Sequence, residues 1–394
     1  MTTTQTSAGF TWPAARSRRS TVEAQFGSTR ADLIQSALTV GDPLADDVVT
    51  EIHEHGRDVR VALNEGIEHG LDSLTDPPPA VAALLKHVEA TPDYVDDALL
   101  DEASLPFFTK PAAVTAISLS AGALVRSYQS PSISTVLAMT GRLVEGAPRR
   151  LYETGQWLNA AMLPGAMRQG EHGYVSTLQV RILHAAMRRL AHNRGYDDVA
   201  LGAPINQVDM ARTWMDFTLT ALTAEQLMGF DITTAEQNSF YRYWWYVGHV
   251  MGVEPLLVEG ITSSEEAKRV DDLLQTVTGP LIPESTVLTE ATLASLSNRL
   301  HTLLKLPEPI TLVLLRSLTR RIHGLTLSQE LSIPPTRLAD KLLSAAVPII
   351  AARRARLRAN PDAWNAAMLK NIEVSRARVA NPDGRTGYQH HAAE

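Results

Sequence analysis

The sequence predicts an all-α fold, a single large helical domain. Apolar residues recur at three- and four-residue spacing through most of the chain, and strand-like alternation is absent. The Pro- and Gly-rich stretches between helical segments are short, as connections within one body are. Hydrophobic types make up 44% of the 394 residues, enough for a large core.

Taken in order, residues 1–28 read as a loose Thr/Ser-rich arm anchored by Phe10 and Trp12, residues 29–380 as the helical domain, and residues 381–394 as a disordered tail. Within GDPLADDVV, Asp42 is placed to cap a helix and Pro43 to begin it. His53, His55 and His69 sit in Glu-rich, solvated context. Asp76-Pro77-Pro78-Pro79 is a break, and Val81–Leu100 gives short helices around Pro92. The small, nearly charge-free AAVTAISLSAGAL suits a helix buried all round or one lining a cavity. Helices follow at 132–142, 148–162, 173–194, 206–228, 234–251 and 263–278. LIPEST (281–286) reads as a linker before a helix at 288–304, and Pro307–Pro309 break the chain before a helix at 310–323. The last two helices are 335–358, with a kink at Val347-Pro348, and 361–379.

Composition removes several function classes. Net charge is −7 and the isoelectric point about 6.0, so no basic surplus points to nucleic acid. The absence of cysteine excludes disulfides, thiolate zinc sites, iron–sulfur clusters and thiolate-ligated haem. Arg16, Arg18 and Arg19 are not followed by the apolar segment of an export signal, and no uncharged apolar run reaches membrane-spanning length. The expected setting is cytoplasmic. Walker loops, dinucleotide-binding glycine motifs, Gly-x-Ser-x-Gly elbows and His-Glu-x-x-His are all missing.

Three stretches carry chemistry. In VRILHAAMRRLAHNR (180–194), helical pitch puts Val180, Leu183, His184 and Met187 on one face, flanked by Arg181 and Arg188. His184 is either a core histidine bonded to a carbonyl or a ligand for a metal or haem iron, with the arginines available to propionate carboxylates. Upstream, Arg150 and Thr154 share a helix face, where a cation and a hydroxyl suit a small oxygen species or carbonyl, or are simply surface residues. Finally, FYRYWWYVGHVMGV (240–253) is either an aromatic core stripe or the wall of a flat cofactor or apolar ligand; it contains Trp245 and His249, the rival to His184 as metal ligand.

These stretches resemble the rubber oxygenase (latex clearing protein) catalytic-domain family, which includes the oxygenase that trims the farnesyl side chain in mycophenolate biosynthesis. The resemblance rests on the order and spacing of GDPLADDVV (41–49), GRLVEGAPRRLYET (141–154), VRILHAAMR (180–188), APINQVDMARTW (203–214) and YWWYVGHVMGV (243–253). It implies a globin-like helical core enclosing haem b, with His184 as proximal iron ligand, Arg181 and Arg188 as propionate or pocket partners, and Arg150 and Thr154 on the distal side. Dioxygen would be the co-substrate, attacking a carbon–carbon double bond in an isoprenoid chain. The rubber-cleaving members carry a lysine where this chain has Glu153, and a distal glutamate near the position of Ser134. Glu153 in an apolar haem pocket would have a raised pKa suited to distal acid–base work; on the outer face it would be solvated.

The resulting expectation is a haem oxygenase acting on a hydrophobic small molecule, isoprenoid or polyketide, and able to form a homodimer. The alternatives are another oxidation by the same haem (hydroxylation, dehydrogenation or peroxide chemistry) and a helical haem- or ligand-binding protein without turnover.

Overall fold

The computed structural model describes residues 12–141 and 143–380, and among them every regular element is helical. The local signals act as expected. The Asp42 side chain accepts a hydrogen bond from the Ala45 N–H at 3.3 Å, opening the helix Pro43–His55 with Pro43 in its first turn. A reciprocal pair, Thr233 and Glu236, caps the aromatic helix Thr234–Met251, which Gly252 ends in a left-handed conformation. The proline run yields the helix Pro79–Glu89. His53, His55 and His69 are exposed.

Two long rods form the middle of the molecule. One spans 112–127 and the other 207–227, and each passes through a π-helical segment, Ser118–Leu124 and Asp216–Thr220 respectively. The π segments pack on each other. The approach is close because the first rod is built of small residues: a Cβ on Gly122 would lie 3.4 Å from that of Ala224. Buried charges stitch the rods together. Arg126 pairs with Asp216 at 3.3 Å and with Asp271, and Asp216 also accepts from the Ser127 hydroxyl at 2.7 Å. Burial raises the Asp216 carboxyl to about 6 against the pull of Arg126.

Several expectations need correction. The arm is not loose from Trp12 onward. Arg16 is buried and pairs with Asp209 at 2.8 Å, its neighbours Ala14 and Ala15 donate to the Val199 and Ala200 carbonyls, and Arg19–Phe26 is helical. A desolvated guanidinium needs such a partner, and the partner holds the segment down. Phe10 lies outside the described residues, as do the tail residues 381–394. LIPEST is only partly a connection: Ile282 is extended and Pro283 opens the helix Pro283–Leu304, because proline is preorganised for a first turn. The following helix runs on through Glu308–Glu330, broken in direction at Gly324 (φ 80°). Arg337–Arg358 continues past Pro348 as one helix. Among the described residues no single helix is long and apolar enough to cross a membrane.

The ion pair under the N-terminal segment generates a test. Arg16→Ala strands a buried Asp209 and lowers stability by about 3 kcal/mol, read as a reduced urea midpoint; an unchanged midpoint would show that the segment is not docked in solution.

Candidate active site

The histidine helix His172–Asn193 packs against the distal helix Ala147–Met162, the Asp42-capped helix, the helix Pro131–Met139 and the aromatic helix. Its start crosses the end of the distal helix so closely that a Cβ on Gly173 would meet the Ala166 and Ala160 carbonyl oxygens at 2.7 and 2.8 Å. One turn on, Thr177 accepts a hydrogen bond from the Trp157 indole at 3.0 Å.

Arg181 and Arg188 then tie this helix to the opposite neighbour. Arg181 grips Asp42 with two bonds, 2.6 and 2.9 Å long, and donates to the Val250 carbonyl at 3.3 Å. Arg188 pairs with Asp46 at 2.6 Å. Gly41 and Gly252 border these pairs: a Cβ on Gly41 would lie 2.6 Å from Arg188 Cδ, and one on Gly252 2.6 Å from Arg181 Nε and against the Asp42 carboxylate. Gln207 closes the knot, donating to the Gly41 and Gly252 carbonyls at 2.7 and 2.9 Å and accepting from the Glu254 N–H at 2.7 Å. Both arginines, read from sequence as propionate or pocket partners, have carboxylates of the protein itself and so position the helix, while Arg188 keeps one buried guanidinium nitrogen without a hydrogen bond.

His184 lies between them on the same helix. Its Nδ1 is buried without a hydrogen bond. The residue is half-buried, and it is not among those that line the cavity described below. Burial, reinforced by Arg188 and opposed by Asp42, lowers its pKa to about 4. The ring is neutral at pH 7. A core histidine satisfied by a carbonyl looks different: His323 Nε2 donates to the Ala121 carbonyl at 2.9 Å.

On the distal helix the three candidates diverge. Arg150 donates to the Leu143 carbonyl at 2.7 Å and lies beside Tyr128, whose phenol bonds Thr292 at 3.1 Å. Thr154 lines a cavity of about 470 Å³. Glu153 points outward in an i,i+4 ion pair with Arg149 at 2.6 Å. This is the solvated arrangement and not that of a pocket acid–base.

The aromatic helix also splits its candidates. Trp244 is enclosed by Trp157, Trp214, Phe217 and Phe240, whereas Trp245 stands edge-on to Tyr94 at 5.4 Å; neither indole N–H has a hydrogen-bond partner. His249 packs against His87, ring centres 5.0 Å apart, and its pKa falls to about 4 through burial first, then His87 and Arg181. His87 was not singled out in the sequence, where it sits in an ordinary amphipathic helix.

The cavity is walled by the small-residue rod, the distal helix, Pro283–Leu304 and the helix Pro361–Val379. Ala112, Ala116, Leu119, Leu151 and Leu296 make its lining largely apolar. The last helix is pinned across the chain, Ser375 donating to Asn159 at 2.6 Å and Asn371 to the Phe108 carbonyl at 2.8 Å. Lys110, on the wall, forms a buried pair with Glu225 at 2.8 Å. No sequence signal marked these long-range partners.

Among the described residues no three histidines or carboxylates converge on a metal position. A metal that brings its own equatorial ligands needs only one side chain, and His184, neutral and without a hydrogen bond at Nδ1, has the donor chemistry for it. The donor at that point fits a haem iron; the Arg181 guanidinium is taken up by Asp42, and Arg188 retains one unbonded nitrogen beside its pair with Asp46.

The depressed histidines make stability depend on pH. His184, His249 and His323 have folded pKa values near 4 against 6.5 when free, so between those limits the unfolded chain binds more protons. Stability is complete above about pH 6.5 and falls as the pH drops toward 4, by on the order of 2 kcal/mol per fully buried ring. Urea midpoints at pH 7.5 and 5 measure the drop, which His323→Leu should reduce; a flat profile contradicts the burial.

The family described as "ER-bound oxygenase mpaB/B'/Rubber oxygenase, catalytic domain" matches residues 107–352, more than half of the chain. A solved structure titled "Structure of Latex Clearing Protein LCP in the closed state" is similar with a TM-score of 0.61 at 19% identity, covering 86% of this chain and 91% of that one. No curated protein matches. The chain belongs to the mpaB/rubber oxygenase catalytic-domain family, whose members are oxygenases. The likeness to the solved structure, at that identity, is one of fold.

Proposed function

We propose that this protein is a haem b-dependent oxygenase in which His184 ligates the iron and the substrate is a hydrophobic small molecule bearing a carbon–carbon double bond, cleaved with dioxygen. The observation that carries the reading is the His184 side chain, deep in the bundle, neutral at pH 7 and with Nδ1 unbonded. Membership of an oxygenase family supports it.

When bound, haem supplies the dioxygen chemistry, and the protein supplies ligation, polarity and shape. The Arg181–Asp42 and Arg188–Asp46 pairs hold the histidine helix in place, so the imidazole is oriented before any ligand arrives. The low His184 pKa keeps its lone pair available down to mildly acidic pH. The Thr154 hydroxyl faces the cavity and can hydrogen-bond an oxygen atom there, while Arg150 sets positive charge on the same helix face. The apolar lining and the Phe107 and Phe108 wall exclude water from a hydrophobic chain. Glu153 has no part in this scheme, because Arg149 holds it outside.

Two alternatives are distinguished by what is consumed and released. Hydroxylation or dehydrogenation by the same haem would leave the carbon skeleton intact. A binding protein without turnover would consume no oxygen with any candidate.

Absorption spectra of wild type and His184→Ala, expressed with haem supplied, are the direct test. A Soret band that shifts on reduction and with carbon monoxide, and is lost or altered in the variant, is the expected result; a colourless wild type ends the reading. With an accepted substrate, Thr154→Ala should lower kcat by about tenfold to a hundredfold while leaving the Soret band in place.

A further inference from the structure

The charges around the cavity are all of one sign. Of its 24 lining residues three are cations and none is an aspartate or glutamate, although the whole chain carries a net charge of −7. Lys110 is committed to Glu225. Arg299 and Arg378 are not: both side chains are exposed, and neither makes an ion pair or side-chain hydrogen bond among the described residues. They come from the two helices that form the outer wall, Pro283–Leu304 and Pro361–Val379.

The inside of the cavity is of a different kind. Ala112, Ala116, Leu119, Leu151, Leu296 and Leu300 line it with hydrocarbon. Its volume of about 470 Å³ falls within the range of roughly 300–1,000 Å³ typical of small-molecule sites. At the rim Tyr152, Leu303 and Val374 are 48%, 60% and 41% exposed, so the apolar surface continues out to the two arginines. An apolar interior opening past an apolar rim to two unpaired guanidinium groups is complementary to an amphiphile: a long hydrocarbon tail inside and an anionic head at the entrance.

We infer that the cavity binds long-chain molecules with an anionic head, a carboxylate or a phosphate, tail inward, with Arg299 and Arg378 receiving the head. The inference rests on the proposed reading of the cavity as the substrate chamber, and it adds which end of the substrate enters first. The head stays at the mouth, and the double bond presented toward Thr154 lies along the tail, away from the charge. Dioxygen cleavage there would put one oxygen atom on each carbon of the double bond, releasing a carbonyl fragment that keeps the anionic head and a neutral carbonyl fragment from the far end.

Binding can be tested without turnover. The fluorescent polyene acid cis-parinarate is bound to the full-length protein, purified with and without haem supplied, and displaced by oleate, oleyl alcohol, farnesyl diphosphate or farnesol. At least one anionic competitor should displace the probe about tenfold more effectively than the matching alcohol, and the carboxylate and phosphate arms show which head is preferred. In the Arg299→Gln/Arg378→Gln double variant that advantage should vanish while displacement by the alcohols persists. Because both arginines are exposed and unpaired, these substitutions remove no contact of the fold. Equal displacement by acid and alcohol in wild type, an advantage that survives in the double variant, or no probe binding at all would each overturn the inference. The fluorescence readout needs no haem, so it can fail while the Soret result stands, or hold while that result fails.

Discussion

The two-bond grip of Arg181 on Asp42 is the interaction on which the rest of the candidate site depends. It joins a buried cation on the histidine helix to a carboxylate that also caps the neighbouring helix, so neither group bears an unpaired charge. Around it Gly41 and Gly252 leave room that any side chain would fill, and Gln207 ties both glycine carbonyls together. Four of the five sequence blocks that carry the family resemblance meet at this knot: 41–49, 180–188, 203–214 and 243–253. The fifth, 141–154, supplies Thr154 and Arg150. Much of the motif content is thus architectural. It sets where an imidazole stands, and few of its residues face the cavity.

This division explains what could be read from the sequence. Caps, breaks and helical periods are local, so the Asp42 cap, the proline run at 76–79 and the aromatic helix were legible. The i,i+4 pair Arg149–Glu153 lies within one stretch, yet the sequence left Glu153 open between pocket and solvent, and the structure puts it in that pair. The partners of Arg181 and Arg16 were not legible. They lie 139 and 193 residues away, and a helical wheel shows that an arginine flanks an apolar stripe without showing which carboxylate awaits it. The C-terminal helix, which reads as one more amphipathic segment, walls the cavity only because Asn159 and the Phe108 carbonyl accept its side chains.

The three buried histidines show how burial separates residues that look alike in sequence. His323 is satisfied by a carbonyl, whereas His184 Nδ1 and His249 Nε2 are each buried without a hydrogen bond, His249 being packed against His87. All three are held neutral by desolvation, so the depressed pKa does not mark the ligand. An unbonded ring nitrogen does not mark it either, since His249 shares one; what His184 has besides is its place on the helix that packs against the one carrying the cavity-facing Thr154.

The knot also sets an order on biosynthesis. Its parts are spread from Gly41 to Glu254, so a chain emerging from the ribosome N-terminus first has made Asp42 and Arg181 well before Gln207, Gly252 and Glu254 exist to close around them. Until then the Arg181 guanidinium has a counter-ion but no lid, and the helix bearing His184 lacks the aromatic helix that packs on it. Any group that requires that imidazole in its final orientation is therefore captured only after residue 254 has left the exit tunnel.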